Sequence, residues 1–243
     1  MNRLSVGLAT LVAAVAMTGC NVIGGDSGGG GGVNNSSWFG TYEDSAGALD
    51  TILVEFDGSG DISKVEIGGV DQGFTATVTK EQGDIYGFEG NDGTAGGFLV
   101  NGDHGVYLTE SFEFGSVQKK ATALASSYSL DDVVGSWSGN LVLLDAFFQI
   151  VSVFDSSMTV NPDHSFGGQY DSSTFHDFNF LLLDSPVYGR ISGAVVDDTD
   201  DSVSDLRIFL TPDKQFAGSW GCYPAGGFYN FPTDCSFQAW GKD

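Results

Sequence analysis

Cations are scarce in this chain: 9 Lys and Arg stand against 32 Asp and Glu, a formal net charge of −23. That balance excludes nucleic acid as a partner and excludes an electrostatic grip on anionic lipid. The 3 histidines, His104, His164 and His176, lie far apart, with neither the spacing of a metal site nor a nucleophile set beside them. We therefore expect no metal, no cofactor and no catalytic residue. The apolar run from Leu4 to Met17, uncharged throughout, is too short to cross a bilayer as a helix. Helical periodicity is nearly missing too, with one plausible helical stretch at residues 119–134, "KKATALASSYSLDDVV".

What is present begins with an address. Met1 to Gly19 has a positive start at Arg3 and an apolar middle, the pattern of a secretory signal peptide. At its end Met17-Thr18-Gly19-Cys20 resembles the lipobox of bacterial lipoproteins, with Met17 where that family usually has Leu. The resemblance implies cleavage after Gly19 and lipidation of Cys20. Loss of Arg3 would take the formal charge of −23 to −24. Two or three acyl chains make such an anchor effectively permanent. Asn21, where the enteric sorting rule has Asp for inner-membrane retention, points to the outer membrane. Residues 20–37 then serve as a tether: "GGDSGGGGGVNNSS" (24–37) is a flexible coil with a reach of roughly 20 Å.

Once Cys20 is assigned to lipid, Cys222 and Cys235 remain, flanking "YPAGGFYNFPTD". In an oxidising compartment they read as one disulfide closing a long hairpin loop, a closure that contributes about 3 kcal/mol. Tyr223, Phe228, Tyr229 and Phe231 crowd that loop and are the candidate contact residues for a ligand or partner.

Abundant Gly, Thr, Val, Phe and Ser, with short alternating runs, predict an all-β chain. Ile52, Val54 and Phe56 share one face, as do Val65 and Ile67, and "FDGSGDIS" and "VNGDHG" read as hairpin turns. The chain also matches itself. "WFGTYED" (38–44) aligns with "VVGSWSG" (133–139), placing Gly40 on Gly135 and Tyr42 on Trp137. "DIYGFEG" (84–90) aligns with "PVYGRISG", placing Tyr86 on Tyr188. "FLVNGDHGVYL" aligns with "IFLTPDKQFAGS", and "FGSVQK" (114–119) with "FQAWGK" (237–242). The separations grow in order along the chain, as a duplication with longer loops in its second copy requires. The expected domains are 38–118 and 133–243, joined by a linker at 119–132 with a short helix.

"SLDDVVGSW", residues 129–137, resembles the start of a lipocalin-like barrel: a helical turn, then Gly-x-Trp opening the first strand. In that family a basic residue of the last strand packs over the tryptophan. The resemblance therefore implies two tandem antiparallel lipocalin-like barrels, with Lys242 over Trp137 and Lys119 over Tyr42. "DGSGD" (57–61) lacks the later ligand of a calcium loop, since position 12 counted from Asp57 is Gly68, and "DDTDDSVSD" (197–205) reads as a charged hairpin tip, with weak gathering of a divalent ion as the alternative. The functional expectation is a non-enzymatic envelope lipoprotein that binds an apolar small molecule or a protein partner. The alternatives are a structural component of the outer membrane and a hydrolase with an unrecognised carboxylate pair.

Overall fold

Alternation of apolar and polar residues along the strands decides the architecture. The computed structural model describes residues 32–144, 150–170, 173–177, 180–198, 201, 203–224 and 233–243. The first sheet comprises β1 (Ser37–Glu43), β2 (Leu49–Phe56), β3 (Ile62–Ile67), β4 (Val70–Asp71), β5 (Ala76–Gln82), β6 (Ile85–Gly90), β7 (Ala95–Asn101), β8 (His104–Thr109) and β9 (Phe114–Lys119). The second comprises β10 (Gly135–Leu144), β11 (Ile150–Val160), β12 (Phe166–Tyr170), β13 (Ser173–Asp177), β14 (Leu182–Ser185), β15 (Arg190–Asp197), β16 (Val203–Leu210), β17 (Phe216–Pro224) and β18 (Thr233–Lys242).

The molecule is all-β, with two barrel-like halves. In each sheet the first strand pairs with the last, β1 with β9 and β10 with β18. Pairing of β2 with β3, and of β13 with β15, completes each circuit, leaving β4 and β14 as short extensions. Closure removes the open edges an acidic, glycine-rich sheet would otherwise expose. Along β2, Ile52, Val54 and Phe56 are buried inside the barrel while the intervening residues are only half-buried. Val65 belongs to the same core and Ile67 packs against it.

Register exposes the duplication and corrects its alignment. Trp38 pairs with Lys119 and Trp137 with Lys242, while Gly40 and Gly139 occupy matching places against the last strand of each barrel. A Cβ at Gly40 would collide with the Ser116 carbonyl, and one at Gly139 with the Ala239 carbonyl. The counterpart of Trp137 is therefore Trp38, not Tyr42, and that of Gly40 is Gly139, not Gly135. Lys119 accordingly stands over Trp38, its Nζ 5.6 Å from the ring centroid, as Lys242 Nζ stands 5.3 Å from that of Trp137. Tyr188 falls in the turn before β15, and the registers of β6–β7 and β15–β16 match Tyr86 with Ile191 instead.

The linker is helical only over Leu130–Val133, a single 3₁₀ turn capped by Ser129, whose backbone N–H donates to Asp132 Oδ2 at 2.7 Å. The rest is irregular with bends, and Tyr128 is buried in the second core, over Gly189, where a Cβ would meet its ring at 2.8 Å.

The two barrels meet along equivalent strands. Val106, Leu108 and Phe114 of β8 and β9 join Phe209, Phe216 and Phe237 of β16–β18 in a third apolar cluster, with Phe114 and Phe209 centroids 5.2 Å apart. These strands are covered on both faces, by their own core and by the other barrel, so they read as continuous apolar runs such as "FLV", "VYL" and "IFL". Gly218 sits in this seam because any side chain there would strike Val106. Polar ties frame it: Thr41 Oγ1 donates to the Tyr188 carbonyl at 2.8 Å, and Asp213 Oδ2 accepts from Gln118 at 3.0 Å and bonds His104 Nε2 at 2.7 Å.

Candidate functional site

The first barrel holds a cavity of about 310 Å³. Its walls are aliphatic and aromatic, including Val54, Val65, Phe56 and Phe98. The end beneath is closed by Trp38, whose indole N–H donates to Ser36 Oγ at 2.7 Å and whose ring meets Phe98 edge-on at 5.5 Å. The opposite end is the mouth. It is formed by the connections β1–β2, β3–β5, β6–β7 and β8–β9, which lie at one end of an antiparallel ring because hairpins alternate ends.

Polar groups concentrate there. Tyr42, at the end of β1, donates its hydroxyl to Glu113 Oε1 at 2.5 Å. Burial, and then the bond to Glu113, raise its pKa far above the ordinary phenol value, so it stays a donor. Glu113 is anchored in turn: its N–H donates to Thr109 Oγ1 at 3.1 Å. Asp92, in the β6–β7 turn, accepts the Thr94 N–H at 2.9 Å, and hydrogen bonds from Thr94 hold its carboxyl below the usual range. Phe74 and Phe88 form an aromatic collar beside it, edge to face at 6.4 Å. Tyr107 also lines the cavity. Its ring lies over Gly115, and its buried hydroxyl has no hydrogen-bond partner among the described residues, with burial pushing its pKa well up.

The second interior is occupied by larger groups. By register, Met158 stands where the first barrel has Val54, Phe166 where it has Ile62, and Trp240 where it has Val117. All three are at most 2% exposed, and Leu181 enters from beside β14 to pack over Gly193 and Phe166.

Of the residues singled out from sequence, Cys20, Phe228, Tyr229 and Phe231 lie outside the described residues. Cys222 and Cys235 stand directly opposite one another in the β17–β18 register, with Tyr223 opposite Asp234; the side chains of Cys222, Tyr223 and Cys235 are outside the described ones. Their hairpin is the second barrel's counterpart of β8–β9, whose turn carries Glu113 at the mouth of the cavity. Trp137, Lys242 and Lys119 sit at the closed ends, and Tyr42 lies at the mouth instead of under a lysine. The histidines do not converge; each has its own aspartate, His104 with Asp213, His164 with Asp131 and His176 with Asp198. In the "DGSGD" loop, Asp57 Oδ1 is taken by the N–H groups of Ser59, Gly60 and Asp61, which close a turn with it.

Sequence reasoning missed Tyr107, Asp92 and Glu113. The signal for them was the strand-turn-strand pattern itself: hairpin ends at one pole of a ring must share a mouth.

No protein-family model matches this chain, and no curated protein matches it. Among solved structures, it is similar to a protein of unknown function from the DUF3598 family of Nostoc punctiforme. The sequence identity is 9% and the TM-score 0.38, over 87% of this chain and 97% of that one.

Proposed function

We propose that this chain is an outer-membrane lipoprotein, tethered through Cys20, whose first barrel binds a small apolar molecule without converting it. The observation that carries the reading is the cavity: about 310 Å³, apolar in its walls and polar at one mouth, as ligand sites are built. A protein partner is the second reading, favoured by β14, which pairs with β15 alone among the described residues and presents Leu182 beside Phe180, both more than half exposed.

Native mass spectrometry of the protein taken from envelope extracts, with organic extraction of what accompanies it, tests the first reading. A stoichiometric small molecule is expected in the wild type and not in Val54→Phe, which fills the cavity from β2. An empty wild-type protein that is captured through β14, with capture lost in Leu182→Lys, decides for the partner. The anchor is tested separately: Cys20→Ala moves the protein out of the membrane fraction, and a variant that stays bound sinks the anchor.

A further inference from the structure

We propose that the first barrel selects an apolar molecule bearing an ammonium head, seated between Asp92 and Glu113 at the mouth, and rejects the carboxylate of the same skeleton. This rests on the cavity being a ligand site and adds what the ligand must carry.

Three observations converge. The charged side chains lining the cavity are Asp92 and Glu113, both acidic, and among the described residues no lysine or arginine lines it. Lys80 of the same barrel lies over Tyr86 and pairs with Asp84 at 3.8 Å, in the β5–β6 hairpin at the closed end, and Arg207 of the second barrel is paired with Glu43 at 2.9 Å. An anionic head would thus meet two carboxylates without a counter-ion, in a chain whose formal charge is already −23.

The mouth is also built of groups that favour a cation. Tyr42, Phe74 and Phe88 turn aromatic rings to the cavity, and an ammonium near such rings is attracted by their quadrupoles. Glu113 keeps capacity to accept: Tyr42 occupies Oε1, while Oε2 has a long 3.4 Å contact with Thr109 Oγ1. Asp92 Oδ1 accepts the Thr94 N–H at 2.9 Å, which fixes the carboxylate in place at the mouth. Deeper in, the walls from Phe56 to Val65 offer no charge, so the body of the ligand is apolar.

Isothermal titration of the full chain with three probes of one skeleton, 4-phenylbutylamine, 4-phenylbutan-1-ol and 4-phenylbutyrate, separates head from body. The amine is expected to bind about tenfold more tightly than the alcohol, and the alcohol more tightly than the carboxylate. In Asp92→Asn/Glu113→Gln the ratio of amine to alcohol affinity should collapse toward one, with folding checked by the unchanged near-ultraviolet circular dichroism of the barrel. If the alcohol binds and the amine binds no better, or if the double variant keeps the full ratio, the head assignment is overturned while the cavity stands. If none of the three binds, the ligand site itself is refuted.

Discussion

Two barrels of one plan differ in what fills them. Val54, Ile62 and Val117 in the first are replaced by Met158, Phe166 and Trp240 in the second, and Leu181 adds a side chain from outside the ring. Trp240 also satisfies its own polar atom inside the barrel, donating to Ser156 Oγ at 3.0 Å. The exchange runs the other way at Ile52, Phe56 and Tyr86, whose counterparts are Ser156, Val160 and Ile191. The two halves therefore share a register while their interiors differ in which inward positions carry the bulk.

The comparison breaks most severely at Trp240. Trp240→Ala should cost about 3–5 kcal/mol, because it empties the packed core and removes the donor to Ser156 Oγ; urea denaturation measures it. Val117→Ala, at the matching place in the first barrel, removes far fewer atoms and should cost less than half as much. Next comes the seam, where Gly218→Val drives a branched side chain into Val106 and should cost about 1–3 kcal/mol. Loss of coincidence between the unfolding transitions of the two barrels, followed by separate probes, would mark their uncoupling.

A pH titration sharpens the contact between the barrels. Burial raises the Asp213 pKa, but hydrogen bonds from His104, the Gln215 N–H and Thr211 outweigh it, so the folded value lies below the unfolded one. Its contribution is therefore complete above the ordinary carboxylate range and is lost as pH falls through the folded value. Asp213→Asn should lower stability at pH 7 and flatten that acid limb, read as denaturation midpoints from pH 7 down to about 2. Identical pH profiles for variant and wild type would dismiss the role of Asp213.

The smallest effect is at the closed ends. Lys119→Met should cost about 0.5–1 kcal/mol, the worth of a cation over an indole. Lys242→Met should cost more, since Lys242 Nζ also donates to the Asp132 carbonyl at 2.9 Å, tying the last strand to the linker. Equal losses in thermal melts would show that this extra bond contributes nothing.

Much of this architecture was legible in the chain. Alternation in β2 and the strand-turn-strand match of "FLVNGDHGVYL" to "IFLTPDKQFAGS" both correspond to real registers, because side-chain period and hairpin geometry are local. The first-strand alignment slipped by four residues because Gly-x-Trp drew attention to Gly135. The shared pattern is Trp-x-Gly, at Trp38-Phe39-Gly40 and Trp137-Ser138-Gly139, and its glycine is required by a close strand approach that sequence does not display. The linker misled in a similar way. Its Ala and Leu favour helix, but burial of Tyr128 in the second core overrides that propensity. The cavity was not legible at all, since it depends on sums of volumes across strands far apart in sequence. Nothing in the sequence singles out Asp92 and Glu113; ring closure sets their turns around one opening.

Pairing the first strand of each ring with its last has a consequence for how the molecule comes into being. Trp38 cannot find its partner until Lys119 has been made, nor Trp137 until Lys242. Each barrel therefore assembles late and around long loops, which makes folding slow. During synthesis the first ring can close while the second is still incomplete, presenting its seam strands β8 and β9 as a finished surface. Removing the last strand would leave β10 joined only to β11 and β17 only to β16, opening the second ring.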